Sequence, residues 1–218
     1  MPMNQMTGFN TPLDNGYFPT KDDELSSKFK QFHLNIHSST GPKFDGFTFM
    51  YPLVPFSTTG APVLKNCPNS CMEPFSPDCY CSHRLNIPLD SIVQITLTAY
   101  AESFAGMYYH PVHIHGNAFF VIAYGYGTHN NTSATNPIVN NPTFICDPEA
   151  PKCSKITQTD KLMDFKYINP PKRTTVMVPV GGYVVLRFKA DNPGMWPLHC
   201  HVLDHSLSGG PHLINLKS

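Results

Sequence analysis

The stretch Pro197-Leu198-His199-Cys200-His201-Val202-Leu203-Asp204-His205 constrains this chain more than any other. Read as a β-strand, it sends successive side chains to opposite faces. His199 and His201 then share one face, and Cys200 between them takes the other. An imidazole pair and a thiolate can thus serve two metal sites back to back. His205 lies past the strand, placed to fold back onto the metal that Cys200 would bind. A second cluster, His110-Pro111-Val112-His113-Ile114-His115-Gly116, repeats the logic. His113 and His115 share a face, and His110 sits three residues before His113, across a proline expected to interrupt regular strand.

Donor type sorts these residues into two sets. Cys200, His205 and His110 combine one thiolate with two imidazoles, the ligand set of a blue-copper electron-transfer site. His113, His115, His199 and His201 are all imidazole and suit copper or zinc about equally. Zinc is the competing reading, since tetrahedral sites of histidine and cysteine hold it readily. A zinc site gives no reason, however, to thread ligands on both faces of one strand.

His-Pro-Val-His-Ile-His-Gly at 110–116 and Trp-Pro-Leu-His-Cys-His-Val-Leu-Asp-His at 196–205 resemble the two C-terminal copper signatures of the multicopper oxidases, the family of laccases, ascorbate oxidases and ferroxidases. The lead-in Ala190-Asp191-Asn192-Pro193-Gly194-Met195-Trp196 is similar to that of laccases. Cys79 to Leu89 resembles the start of the last domain of insect-type laccases. The resemblance implies that His110, Cys200 and His205 hold a type 1 copper that takes electrons from substrate. It assigns His113 to a type 2 copper. His115, His199 and His201 go to a type 3 pair, where O2 is reduced to water. Electrons would pass from Cys200 to its neighbours His199 and His201.

Two departures from the family pattern matter. The family's trinuclear cluster draws half its histidines from two His-x-His motifs in an N-terminal domain, and no further His-x-His motif occurs here. His33, His37, His83, His129 and His212 read as surface residues. The chain is therefore expected to supply half of the oxygen-reducing site and to be inactive without an N-terminal cupredoxin domain. Counting five from His205 gives Gly210, where the family usually carries Met, Leu or Phe. Without a side-chain donor there, a raised potential or a water ligand is expected.

Lys+Arg and Asp+Glu number 15 each, and no basic run appears, which argues against nucleic acid or an anionic membrane as partner. No apolar window is long enough for a membrane span. Apart from Cys200 the chain has six cysteines. Cys67, Cys71, Cys79 and Cys81 crowd one segment, and Cys146 and Cys153 flank a short loop. Disulfides there imply an oxidising compartment; three pairings of the crowded four are open, and their spacing fits zinc patterns poorly. Asn130-Asn131-Thr132-Ser133 holds overlapping glycosylation sequons. Met1 to Gly8 lacks the charged start and apolar run of a secretion signal. The expectation is a C-terminal piece of a longer secreted or membrane-tethered protein.

The 22 prolines and 14 glycines point to many turns and few long helices. Residues 1–40 read as a linker or the tail of a preceding domain, with Lys21-Asp22-Asp23-Glu24 exposed, although short alternating pieces begin near Gln31. Strands are predicted over Phe47–Tyr51, Ile92–Ala101, Ala118–Tyr124, Thr174–Val180, Tyr183–Ala190 and Pro211–Leu216, with Gly181-Gly182 as a tight turn. Gly125 to about Asn169 reads as a surface excursion. The pattern is all-β, a sandwich or barrel. The resemblance makes it a cupredoxin-like Greek-key barrel over 41–218, with long disulfide-bearing loops.

For the substrate, Met107, Tyr108 and Tyr109 beside His110 suit a phenol. Asp204, which matches an Asp of vertebrate ferroxidases, and Glu102 suit Fe2+ docking. Three readings are open: part of a laccase-like or ferroxidase-like oxidase with O2 as acceptor, a stand-alone type 1 electron-transfer module, or an inactive barrel remnant. The second has no use for His113, His115, His199 and His201. Completeness of both motifs argues against the third.

Overall fold

Along Ile92–Thr98 the side chains alternate: Val93, Ile95 and Leu97 enter the main core, while Gln94, Thr96 and Thr98 take the other face. Both sets are buried, so something covers the sheet on each side. The computed structural model describes residues 16–37, 43–45, 47–49, 67, 80–101, 109–129, 138–146, 156–158, 163–203 and 211–217. Its strands begin with β1 (Phe29–His37), β2 (Lys43–Phe44), β3 (Thr48–Phe49), β4 (Tyr80–Cys81), β5 (Arg84–Pro88) and β6 (Ile92–Thr98). The middle of the chain gives β7 (His110–Ile114), β8 (Phe119–Gly125), β9 (Thr128–His129), β10 (Ile138–Val139), β11 (Phe144–Cys146) and β12 (Ile156–Gln158). The last part gives β13 (Lys172–Arg173), β14 (Thr175–Val178), β15 (Tyr183–Lys189), β16 (Gly194–Cys200) and β17 (Pro211–Lys217).

Two sheets carry the architecture, one ordered β13-β8-β15-β6-β1-β2 and the other β14-β7-β16-β17-β5. Successive strands cross between them, from β5 through β8 and again from β13 through β16. The main core lies between the sheets. β1, β6, β8 and β15 supply Leu34, Ile95, Val121 and Leu186 from one side; β7, β16 and β17 supply Val112, Leu198 and Ile214 from the other. The all-β sandwich is as expected, and β6, β8, β14, β15 and β17 overlap predicted strands, while of Phe47–Tyr51 only Thr48–Phe49 is strand among the described residues. The Pro179–Gly182 turn closes with Gly182 N–H donating to Pro179 O at 3.0 Å. Gly181 has φ +64°, and a Cβ there would lie 2.6 Å from Ile138.

Burial corrects several expectations. The sequence places residues 1–40 outside the domain, yet β1 pairs with β6 in parallel over seven residues, and Leu34 and Ile36 are core. The domain therefore begins before residue 41. The reading of Gly125 to Asn169 as a surface excursion also gives way. Phe144 and Met163 are buried with Phe120, Ile122 and Val185, and Phe165 and Tyr167 pack against them, covering the outer face of the six-stranded sheet. Cys67 and Cys81 form a disulfide. Cys71, Cys79, Cys153 and the sequons lie outside the described residues, as does the Cys146 side chain.

Lys21–Leu25 forms a short 3-10 turn, and it is not simply exposed, because Asp23 is buried against Arg187. Arg187 is fully buried on the outer face of β15. Its guanidinium donates to Gln94 Oε1 at 3.0 Å, Thr20 O at 2.8 Å, Glu24 Oε1 at 2.6 Å and Asp23 Oδ2 at 3.4 Å. Tyr17 OH donates to the same Asp23 carboxylate at 2.8 Å. A buried guanidinium is tolerated only where its donors are met by acceptors and opposite charge. Arg187 thus ties the N-terminal segment to the sheet. Arg187→Ala leaves Asp23 buried without its cation and is expected to lower the unfolding free energy by about 3 kcal/mol or more. Asp23→Asn costs about 1 kcal/mol. Urea titration checks both, and a loss below ~1 kcal/mol for Arg187→Ala would exclude this role.

Two of the histidines read as surface residues are half-buried. His33 Nε2 lies 3.1 Å from Thr98 Oγ1, and the His83 ring stacks on Phe47 at 4.2 Å between centroids. Burial holds both imidazoles down at about 4, against an ordinary 6.5. The unfolded chain therefore takes up protons between these values when the folded chain does not. Their contribution to stability is whole above pH 6.5 and lost as the pH falls towards 4. In a pH series of urea unfolding, replacing His33 and His83 together with Gln should flatten the slope in that window. An unchanged slope would place the acid sensitivity elsewhere.

Candidate metal centre

β7 and β16 lie side by side, antiparallel, with His199 opposite His113 and Cys200 opposite Val112. This register puts like faces together. On β7 His110, Val112 and Ile114 are buried and His113 is half-exposed; on β16 Leu198 and Cys200 are buried and His199 is half-exposed. His115 and His201 follow the strands and are exposed. Cys200 and His110 therefore stand on the core side of one sheet, and His113, His115, His199 and His201 on the other.

Pro111 does not interrupt the strand. Ile114 N–H points to β14, donating to Thr174 O at 3.1 Å, and His115 N–H points to β16, donating to Pro197 O at 2.9 Å. By this alternation the N–H missing at Pro111 would face His201, the residue after β16 ends. Pro111 stays within β7 and pairs with Met177 of β14. Its carbonyl is used, accepting His201 N–H at 2.6 Å.

On the exposed side the rings form a cluster. The centroid of His113 is 4.8 Å from His115, 5.6 Å from His199 and 5.8 Å from His201. His115 and His199 are 5.1 Å apart, and His199 and His201 5.5 Å. Backbone carbonyls accept only, which fixes two tautomers. His113 Nδ1 lies 2.7 Å from Thr174 O and 2.9 Å from Thr175 Oγ1, and His199 Nδ1 lies 3.0 Å from Cys200 O. Nδ1 carries the proton in both, leaving each Nε2 with its lone pair for a metal. His199 Nε2 faces His115 Nε2 at 3.0 Å. Burial, and then the neighbouring imidazoles, hold His115 below the ordinary histidine range. Burial also leads in lowering His199, so both favour the neutral, ligating form. The Thr174 and Thr175 partners escaped sequence reading, because only the pairing of β14 with β7 brings them to His113.

On the core side Cys200 Sγ lies 3.7 Å from His110 Nδ1, with both residues buried. Cys200 forms no disulfide, and burial pushes its thiol up. His205, Asp204, Gly210, Glu102, Met107 and Tyr108 lie outside the described residues; Tyr109 is exposed. Among the described residues no three His, Cys, Asp or Glu side chains complete a metal site.

Residues 57–210 match the family model described as multicopper oxidase. This chain belongs to the multicopper oxidase family. It is 37% identical over 126 residues to Laccase-6 of Oryza sativa subsp. japonica, a match covering 58% of this chain and 16% of that protein. It is 30% identical over 177 residues to Laccase-17 of Arabidopsis thaliana, covering 79% of this chain and 22% of that one. The chain thus spans about a fifth of such relatives. Among solved structures, Fet3p, a multicopper oxidase that functions in iron import, superposes with a TM-score of 0.54 at 22% identity. That match covers 86% of this chain and 31% of Fet3p, and shows that the sandwich is the cupredoxin-like fold.

Multicopper oxidases bind copper, and the donors here fit it. One ion bound at ordinary metal–sulfur and metal–imidazole lengths of about 2.3 and 2.0 Å would hold its two donors about 3.7 Å apart at a trigonal angle, matching the Cys200–His110 separation of 3.7 Å. Before metal is added, Cys200 should resist Ellman's reagent in the folded chain and react only on unfolding. Mass spectrometry after alkylation of the native chain checks this. Rapid labelling of Cys200 would show that the thiol is not enclosed.

Proposed function

We propose that this chain is the C-terminal part of a laccase-like multicopper oxidase, oxidising a phenolic or other aromatic substrate by single electrons and passing them to O2. The observation that carries the reading is the division of donors across one sheet: Cys200 and His110 buried inside, four imidazoles clustered outside. His110, Cys200 and His205 would hold type 1 copper; His113 would hold type 2, and His115, His199 and His201 type 3. Bound copper supplies the one-electron chemistry at the first set and O2 reduction at the second.

The chain's own contribution is placement. The sandwich keeps water from Cys200 and His110, and the carbonyls of Thr174 and Cys200 present Nε2 of His113 and His199 to the outside. Cys200 is bonded through the backbone to His199 and His201, so the two donor sets share one covalent path. The outer imidazoles form an open array that an N-terminal cupredoxin domain completes. The laccase names of the relatives favour a phenolic substrate over Fe2+. The Cys67–Cys81 disulfide supports a secretory, extracellular setting for the parent protein.

Copper loading tests the assignment. The unsubstituted chain should take on the intense blue absorption of a copper–thiolate centre, Cys200→Ser should lose it, and His113→Ala should keep it. A blue Cys200→Ser protein would refute the scheme. In the longer parent protein, turnover of a simple diphenol should exceed that of Fe2+; the reverse order would make it a ferroxidase.

A further inference from the structure

The lead-in Asn192-Pro193-Gly194-Met195-Trp196 supplies none of the metal donors assigned above, yet it reaches the other motif. Asn192 Nδ2 donates to Gly116 O at 2.7 Å, and Trp196 Nε1 donates to Asn192 O at 2.9 Å. Gly116 has φ +65°, and a Cβ there would fall 2.3 to 2.5 Å from the Trp196 ring. The backbone after His115 thus lies flat on the indole, and only glycine allows that approach. Trp196 also packs against the main core.

His115 needs such support. β7 ends at Ile114, so His115 is beyond the regular ladder. Its backbone is held by Pro197 O accepting from His115 N–H at 2.9 Å and by Asn117 Nδ2 donating to His115 O at 3.2 Å. The next peptide is held by Asn192. His199, by contrast, sits within β16. The 3.0 Å between the two Nε2 atoms therefore depends on where the His115–Gly116 backbone lies.

We propose that Asn192, Trp196 and Gly116 form a latch that positions His115 against His199, so that the two imidazoles ligate one metal ion. These are positioning residues, not ligands. The inference rests on the copper reading of His115 and His199. It gives the lead-in a purpose: the segment before one metal motif sets the geometry of the other.

The chain's single tryptophan makes the test direct, because Trp196 lies against Gly116, the residue after His115. Cu2+ is titrated into the full chain, with Trp196 fluorescence and calorimetry as readouts, and amide exchange over residues 113–117 is measured without metal. Asn192→Ala removes the bond to Gly116 and leaves the fluorophore. It should weaken Cu2+ binding roughly ten-fold and speed exchange over 113–117, while Cys200 stays shielded from Ellman's reagent, showing the sandwich intact. Trp196→Phe, followed by calorimetry, keeps a ring under Gly116 and should lose less affinity than Trp196→Ala. Equal Cu2+ affinity, or equal exchange, in Asn192→Ala and the unsubstituted chain overturns the latch alone. Failure of the unsubstituted chain to bind Cu2+ with quenching of Trp196 overturns the copper reading and the latch together.

Discussion

The two-residue period of a β-strand, expressed in the pairing of β7 with β16, is the constraint from which the rest of this site follows. With His199 opposite His113, every side chain facing the core on one strand adjoins a core-facing side chain on the other. A slip of one residue would turn Cys200 outward and drive His199 and His201 into the apolar interior. Such a slip would expose Leu198 with Cys200 and strand imidazoles among Val112, Ile114 and Ile214, so the hydrophobic core enforces the register that the metal chemistry needs.

Around this pair the sandwich treats its two sheets differently. The six-stranded sheet is covered on both faces, by the core inside and by the N-terminal segment with residues 163–167 outside. Its outer polar positions are consequently buried, and Arg187 is satisfied only because Gln94, Thr20, Asp23 and Glu24 surround it. The five-stranded sheet leaves its outer face open at His113, His115, His199 and His201. The exposed imidazoles thus lie on one side of this sheet and the buried Cys200 thiol on the other.

Much of the fold was legible because alternation is a local property. Val93, Ile95 and Leu97 announce a strand without knowledge of their neighbours, and so do Val184, Leu186 and Phe188. β1 was harder to place, since Phe32, Leu34 and Ile36 lie just after a polar, proline-bearing segment that reads as a linker. Burial there comes from parallel pairing with β6, more than sixty residues away. Asp23 misled for a similar reason: its partner Arg187 is 164 residues distant, and an acidic run beside serines looks solvated until that partner is known. Pro111 looked like an interruption because proline lacks a donor, yet it stays in β7, paired with Met177 and accepting from His201 N–H.

The sequence alone determined which atoms can bind metal and which of them share a face, because donor identity is chemical and the strand period is fixed by backbone geometry. Only the tertiary structure decided that His110 meets Cys200 across 90 residues and His115 meets His199 across 84. It also chose Thr174 and Asn192 as their supports. Those distances depend on the pairing of β7 with β16, two strands far apart in the chain that lie side by side in one sheet, which is a property of the whole chain and not of any segment of it.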